Sequence, residues 1–144
     1  MDLRISGPAA GAERARILEF LRAEGYTTHI QDTDDMFAAW ADGQVAGAVR
    51  LAIEHDTLVL RGMRVRADLQ RRGVGAQLLQ RLDREIGGRQ CYCIPYAWLT
   101  GFYGTIGFAS ISPDDAPMFL VERLRSYRAR GIDALVMVRP APLR

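Results

Sequence analysis

Three runs of alternating residues, separated by turn sequences, occupy the middle of this chain. Met36–Trp40 is the first run, and Asp42-Gly43 after it is typical of a two-residue hairpin, because glycine accepts a positive φ. Val45–Ile53 is the second run, with one apolar face and one mixed face at a period of two. After the polar turn Glu54–Thr57, the third run is Leu58–Arg66. The pattern predicts three consecutive antiparallel strands, so the fold must be built around a sheet.

The third run contains a change of face. Leu58 and Leu60 share one face of a regular strand, whereas Met63 and Val65 fall on the other by parity. One extra residue at Arg61-Gly62 would bring all four to the same face, and a β-bulge supplies such a residue. The alternative is an ordinary strand with apolar residues on both faces. We expect the bulge, which also leaves backbone groups unpaired.

The other segments combine helices with short strands. Helices are predicted over Ala9–Glu24, Val74–Ile86, Pro95–Ile106 and Ala116–Arg130. Short strands are predicted over Cys91–Ile94, Ala109–Ser112 and Ala134–Val138. Ser6, ahead of a proline, is expected to start the first helix. A strand, a helix and another strand in succession favour a parallel crossover, so the expected fold class is α/β with mixed α+β character.

Composition limits the class of protein. The 144 residues are 49% hydrophobic and 25% charged, which suits one globular domain over residues 1–144. A formal charge of +2 is too small to indicate nucleic acid. No apolar run has the length of a membrane span, and no signal-peptide stretch follows the N-terminus. We therefore expect a cytoplasmic protein whose partners include neither nucleic acid nor a membrane.

The chain has two cysteines, Cys91 and Cys93. Alternate residues of a strand seldom form a good disulfide, and two thiols without nearby histidines are too few for a zinc site. Both are predicted to be small buried core residues, and no metal is expected.

In the segment Arg71-Arg72-Gly73-Val74-Gly75, two positively charged residues are followed by glycines without side chains, where a predicted helix starts. The first-turn N–H groups of a helix attract anions, and glycines allow a phosphate to approach that backbone. Arginine suits phosphate oxygens. A P-loop would need a lysine and a hydroxyl after the second glycine, and a dinucleotide-binding turn would need a third glycine where Leu78 stands. The segment predicts a different diphosphate ligand.

Two motifs carry a resemblance to a known family. Gln70-Arg71-Arg72-Gly73-Val74-Gly75, which follows a strand ending in valine, resembles the acetyl-CoA signature of the GNAT superfamily of N-acetyltransferases. Downstream, Phe102-Tyr103-Gly104-Thr105-Ile106-Gly107-Phe108 is similar to the second motif of that family. The order of elements also matches over most of the chain. The resemblance implies a central mixed, mostly antiparallel sheet whose fourth and fifth strands splay apart, flanked by helices.

The resemblance also implies a cofactor and its site. Acetyl-CoA would be the co-substrate, with its diphosphate on the backbone amides from Arg71 to Ala76 and its pantetheine arm along the main chain of Met63 and Val65. The expected cofactor-binding residues are therefore Met63, Val65, Arg71, Arg72, Gly73, Val74, Gly75 and Ala76.

The implied reaction moves an acetyl group to a primary amine by direct attack in a ternary complex. Tyr103 would be the general acid for the sulfur, and an amide near Val65 would serve the oxyanion. A packing role is the alternative for Tyr103. For the whole chain the alternatives are a non-catalytic acyl-CoA-binding or sensing module, and an enzyme for a longer acyl group.

The general base has two candidates, Glu54 and His55, although a polar turn is the simpler interpretation of both. His29 is expected to be solvated. Tyr96 stands where the family often has an asparagine that holds the pantetheine, and Ala67 stands where a proline is usual.

The acceptor is expected to be a small-molecule amine or an amine of a peptide or protein. Asp32, Asp34 and Asp35 would favour a cationic amine if they bordered its pocket, but a solvated loop is the simpler expectation. Tyr92 and Trp98 could line a pocket or fill the core. The last predicted helix could cover the sheet, shape the acceptor site or form a homodimer contact.

Overall fold

A computed structural model describes residues 2–143 of the chain. Within these residues, seven strands form one sheet: β1 (Leu3–Ser6), β2 (Asp35–Ala41), β3 (Gln44–Glu54), β4 (Thr57–Val65), β5 (Cys91–Cys93), β6 (Ala109–Ser110) and β7 (Met137–Arg139). Their order across the sheet is β1-β2-β3-β4-β5-β7-β6. Every neighbouring pair is antiparallel except β4 and β5, which are parallel. The predicted mixed, mostly antiparallel sheet is confirmed.

Four α-helices cover the two faces of this sheet: α1 (Gly11–Ala23), α2 (Val74–Ile86), α3 (Thr100–Gly104) and α4 (Met118–Ala129). The apolar stripe of α2 packs on one face, in a cluster with Phe37 and Leu51. On the other face, α1 packs against β2 and β3, and α4 packs against Val59 and Tyr92. Because both faces are covered, both faces of β3 are buried, whereas its pattern predicted one mixed face.

The predicted bulge in β4 is confirmed. Ala48 pairs with Arg64 and Arg50 pairs with Arg61, so β4 has one more residue than β3 in this interval. Gly62 lies within it at φ +70°, a conformation that glycine adopts without strain. Leu58 and Leu60 lie in the α2-side cluster, and Met63 and Val65 pack against that cluster as the bulge predicts. A second irregularity, where Ala39 pairs with Gly47 and Trp40 with Val45, has no such signal in the sequence.

The structure differs from the sequence-based expectations in three places. The edge strand β1 was not predicted, although Leu3 and Ile5 alternate and both pack against the α2-side cluster. Ser6 does not cap α1: the helix begins at Gly11, and the Ser6 hydroxyl accepts a hydrogen bond from Trp40 Nε1 at 2.8 Å. The helix predicted over Pro95–Ile106 is divided into a 3-10 turn, Ala97–Leu99, and the short helix α3.

Among residues 2–143, no helix has both the length and the apolar character needed to cross a membrane. Cys91 and Cys93 are free and buried, which confirms their predicted place in the core.

Candidate active site

A cavity of about 840 Å³ lies where β4 and β5 separate. The two strands pair only at Val59 and Tyr92, so the rest of β4 has no strand partner on that side. The cavity is lined by β4 residues from Val59 to Val65, the start of α2, the segment from Cys93 to Tyr103, and residues of the α1–β2 loop and of α4. This cleft unites most of the site residues predicted from sequence: Met63, Val65, Arg71, Gly73, Val74, Gly75, Ala76 and Tyr103.

The bulge of β4 lies against Tyr26, another residue that lines the cavity. A Cβ atom on Gly62 would lie 3.1 Å from the Tyr26 hydroxyl, so glycine is needed both for its positive φ and for the approach of Tyr26. Tyr26 belongs to the loop after α1, and it packs that loop against the sheet at Gly62. The glycine that the parity argument identified therefore also allows Tyr26 to reach the cavity lining.

The start of α2 has the open, uncapped backbone that the predicted phosphate cradle would need. Gly73 is the N-cap residue at φ +82°, and no side chain caps the first turn of α2. The N–H groups of Val74, Gly75 and Ala76 thus have no intrahelical partner and no side-chain acceptor. A Cβ on Gly73 would meet nothing within 4 Å. The open space and unpartnered donors together suit an anion.

The two predicted arginines of the cradle differ. Arg71, which also has a positive φ of 65°, lines the cavity. Arg72 is exposed and is not among the lining residues. A role for Arg72 in binding the cofactor stays a prediction.

Tyr103 is packed in the core and also lines the cavity, and its role as the general acid stays a prediction. Its side chain is only 5% exposed, yet it lines the cavity. Phe102 and Phe108 pack edge-on against its ring, with centroids 5.0 and 6.2 Å away. Burial, with a contribution from Cys93, raises the pKa of Tyr103 above its ordinary value. The phenol therefore keeps its proton throughout the neutral range and can act as a hydrogen-bond donor there.

Cys93 lines the cavity near Tyr103, but its chemistry is that of a core residue. Burial raises the pKa of the Cys93 thiol well above its ordinary value, and burial raises that of Cys91 to about 12. Because the thiolate is the nucleophilic form, neither cysteine is activated for acyl transfer at neutral pH.

Glu54 lies beside the cavity rather than among its lining residues. Arg123 donates to both carboxylate oxygens, at 3.2 and 2.6 Å, and Arg61 donates to one of them at 3.4 Å. Partial burial would raise the pKa of Glu54, but the hydrogen bonds and charge of Arg123 and the charge of Arg61 outweigh that effect and lower it. A carboxylate with a lowered pKa is a weaker base. The role of Glu54 as the general base stays a prediction.

Substituting Glu54 with glutamine should distinguish a base from a positioning residue. A general base typically increases the rate of the chemical step by about 100- to 10,000-fold. Glu54 lies outside the cavity lining and is paired with Arg61 and Arg123. We therefore expect Glu54→Gln to lower kcat by less than about tenfold, measured with the best amine between pH 6 and 9. A fall of 100-fold or more, with loss of the acidic limb of the pH profile, would instead identify Glu54 as the base.

The two histidines lie away from this chemistry. His55 is exposed in the β3–β4 turn, where its ring centroid lies 4.6 Å from that of Phe119. His29 is exposed, in agreement with the expected solvated position. Neither histidine is among the residues that line the cavity.

The aspartates of the α1–β2 loop do not form a common cation site. Asp34 is buried, and its carboxylate accepts a hydrogen bond from Arg50 at 2.6 Å. Arg50 also donates to the Tyr26 hydroxyl at 2.8 Å. Asp32 is exposed, in agreement with the expected solvated loop. For Asp34 the expectation of a solvated position was wrong. Sequence reasoning overlooked Arg50, although a lone arginine in an apolar strand was a signal of a buried partner.

The aromatic residues divide between the cavity and the core. Tyr92 is buried against α4 and belongs to the core. Tyr96 and Trp98 stack at the cavity wall, with ring centroids 4.6 Å apart and an interplanar angle of 8°. Both remain exposed, at 43% and 68%. Within the described residues, no cluster of histidine, cysteine or carboxylate side chains could hold a metal ion.

Residues 7–116 match the family model of the acetyltransferase (GNAT) domain, which is more than half of the chain. A comparison with curated proteins found no match. The ribosomal-protein-S18-alanine N-acetyltransferase of Escherichia coli has a similar structure, with 18% identity and a TM-score of 0.69. That alignment covers 99% of this chain and 96% of the other.

Two similar structures contain coenzyme A. The N-acetylglutamate synthase of Neisseria gonorrhoeae, complexed with coenzyme A and N-acetyl-glutamate, has 19% identity and a TM-score of 0.64. The alignment covers 99% of this chain but 36% of the synthase, so this chain spans about a third of that protein. YhhK of E. coli, bound to coenzyme A, has 23% identity and a TM-score of 0.58, over 78% of this chain and 94% of the other. At these identities the likeness shows a shared fold.

Proposed function

The chain belongs to the GNAT family of acetyltransferases, and we propose that it transfers an acetyl group from acetyl-CoA to a primary amine by direct attack in a ternary complex. One observation carries the proposal. A single cavity connects an uncapped helix start, an unpaired strand edge and a buried tyrosine. These are the parts that a diphosphate, a pantetheine amide chain and a thioester sulfur would each need.

The cofactor would bind through main-chain groups. The diphosphate would accept hydrogen bonds from the N–H groups of Val74, Gly75 and Ala76, with Arg71 supplying charge. The pantetheine arm would bind along Met63 and Val65, beyond the point where β4 and β5 pair. Met63 follows the bulge at Gly62, where the ladder with β3 is interrupted.

The reaction would proceed through a single tetrahedral intermediate, without an acyl-enzyme. The amine nitrogen attacks the carbonyl carbon of the thioester, and an amide of β4 near Val65 donates to the oxyanion. The carbon–sulfur bond then breaks, and the leaving thiolate takes the proton of Tyr103. The proton that the amine loses passes to water or to Glu54. Tyr103 recovers its proton from solvent when the products leave.

A covalent intermediate on cysteine would require a thiolate. The raised pKa values of Cys91 and Cys93 support direct attack by the amine instead. The deciding experiment is a thiol-release assay with acetyl-CoA against a broad panel of amines and peptides. Amine-dependent release with a mass increase of one acetyl group on the acceptor would support the proposal. Binding of coenzyme A without release for any amine would favour an acyl-CoA-binding module.

The cradle can be tested with a matched pair of glycine substitutions. Gly73→Leu would put a side chain into the space where the diphosphate approaches the backbone, so we expect coenzyme A affinity to fall by about 10- to 100-fold. Gly43→Leu is the control, because Gly43 has a similar φ of 77°, equally open surroundings and a position outside the cavity.

Both variants carry the same backbone strain, so both should lose about 1–2 kcal/mol of unfolding free energy. Isothermal titration with coenzyme A and thermal unfolding separate the two effects. Equal affinities for the Gly73 and Gly43 variants would mean that the diphosphate binds elsewhere.

A further inference from the structure

The charged side chains that line the cavity are all of one sign. Five arginines and, within the described residues, no aspartate or glutamate belong to its lining. Arg71 lies at the cradle. Arg61 and Arg64 extend from β4, Arg123 extends from α4, and Arg130 is the residue that follows α4. Arg64 is next to Val65 in the chain, so it belongs with the cradle end of β4, and the other three arginines form a second group.

Position along β4 separates Arg61 from the cradle. A Cβ on Gly75 would lie 3.8 Å from the side chain of Val65, so the cradle adjoins the end of β4. Arg61 precedes Val65 by four residues, which is about 13 Å along a strand. Arg61, and Arg123 which shares Glu54 with it, therefore line a part of the cavity away from the cradle, where the proposed acceptor would bind.

Arg61 is the clearest member, because its charge is desolvated without strong partners. Its side chain is 14% exposed. It donates to Glu54 at 3.4 Å and to the Tyr127 hydroxyl at 3.5 Å, both longer than an ordinary hydrogen bond. A guanidinium has five N–H donors. Among the described residues, most of the donors of Arg61 thus lack a close acceptor.

The neighbouring charges leave an excess of positive charge. Arg61 and Arg123 share the single carboxylate of Glu54. The Arg130 guanidinium lies 5.3 Å from the centroid of the Tyr127 ring and has no carboxylate partner among the described residues. We define Arg61, Arg123 and Arg130 as the arginine cluster: Arg61 and Arg130 contact Tyr127, and Arg123 shares Glu54 with Arg61.

Building on the proposed function, we infer that the acceptor is a small primary amine that also carries an anionic group, a carboxylate or a phosphate, which binds the arginine cluster. The anion would accept the free N–H donors of Arg61 and balance the excess charge. A purely cationic acceptor, such as a polyamine, would be repelled by the same side chains. Asp34 offers such an amine no compensation, because its carboxylate already pairs with Arg50.

Matched acceptors test this inference. In the thiol-release assay, each amino acid of a panel is compared with its carboxamide and with its decarboxylated amine, and phosphoethanolamine is compared with ethanolamine. We expect kcat/KM to be about tenfold or more higher for the anionic member of the preferred pair. The two arms identify the anion as a carboxylate or a phosphate. Equal or higher kcat/KM for the neutral and cationic members would overturn the inference, as would activity on peptides alone.

Variants of Arg61 then connect the preference to the cluster. Arg61→Gln should remove the preference for the anionic member, while Arg61→Lys should retain part of it and the KM for acetyl-CoA should not change. Arg125→Gln is the matched control, because Arg125 is exposed on α4 and lies outside the cavity. If Arg61→Gln lowered kcat/KM for both members of a pair equally, the cluster would not select the acceptor.

A binding measurement separates this inference from the proposed reaction. The same amino acids, amides and phosphoethanolamine are titrated into the protein saturated with coenzyme A, which cannot react. Anion-selective binding that depends on Arg61, without turnover, would refute the acetyltransferase proposal and leave the anion site intact. Turnover with uncharged amines, without anion-selective binding, would refute the anion site and leave the acetyltransferase proposal intact.

Discussion

Replacing Tyr103 with phenylalanine is expected to lower kcat by about 100-fold or more, because a general acid typically contributes 100- to 10,000-fold. Phenylalanine keeps the ring that packs against Phe102 and Phe108, so the fold and the KM for acetyl-CoA should change little. The lost group is one hydroxyl in the cavity. Steady-state kinetics with the best acceptor measures the effect.

The pH profile provides a second measurement of the same role. Burial raises the pKa of Tyr103, so the protonated form that acts as the acid persists at higher pH than an exposed phenol would allow. We therefore expect no fall of kcat from Tyr103 ionisation below about pH 10. Tyr92→Phe is the control, since Tyr92 is also buried but lies in the core behind α4. An unchanged kcat in Tyr103→Phe would remove this residue from the acid role.

Replacing Arg50 with methionine is expected to lower the free energy of unfolding by about 3–5 kcal/mol, because it leaves a buried carboxylate without its partner. Arg50 is 1% exposed and Asp34 is 2% exposed, and they form an ion pair of 2.6 Å. Asp34 Oδ2 also accepts a hydrogen bond from the backbone N–H of Gln31 at 3.0 Å. Unfolding in urea, followed by circular dichroism, measures the loss.

Two controls identify burial as the cause. The double variant Arg50→Met with Asp34→Leu removes both charges and should recover much of the loss, since buried ion pairs are often replaceable by apolar residues. Glu13→Gln breaks an exposed pair with Arg4 and should cost less than about 1 kcal/mol. A cost of less than 1 kcal/mol for Arg50→Met would show that the Asp34 carboxylate finds water or another partner.

The buried pair also has a consequence for the site. Arg50 holds the Tyr26 hydroxyl, and Tyr26 lines the cavity next to Gly62. The loop that Asp34 terminates is thus tied to the sheet through one arginine. In the Arg50 variant we expect the KM for the acceptor to rise more than the KM for acetyl-CoA, because only the α1–β2 wall is released.

Local pattern was enough to predict the features whose cause is local. The parity of Leu58, Leu60, Met63 and Val65 indicated the bulge, because side chains alternate strictly along a strand. Gly73 and Gly75 indicated an open backbone at the start of α2, because a missing side chain acts on the backbone of its own turn.

Features that depend on partners distant in the sequence were beyond local pattern. Ser6 was interpreted as a helix cap, but Trp40 across the sheet holds its hydroxyl. Glu54 could be identified as a polar residue near the cleft, whereas its pKa depends on Arg123, which is 69 positions away. The β1 edge strand is short, and its alternation becomes informative only beside β2.

The sequence alone determined the family, the antiparallel meander with its bulge and the start of α2, because each follows from the backbone preferences and periodicity of a short segment. The tertiary structure alone decided which charges meet. It buried Arg50 with Asp34, bound Glu54 to two arginines and gathered the arginine cluster. Electrostatic energy depends on distance and solvent exposure, and both are known only when separate segments come together.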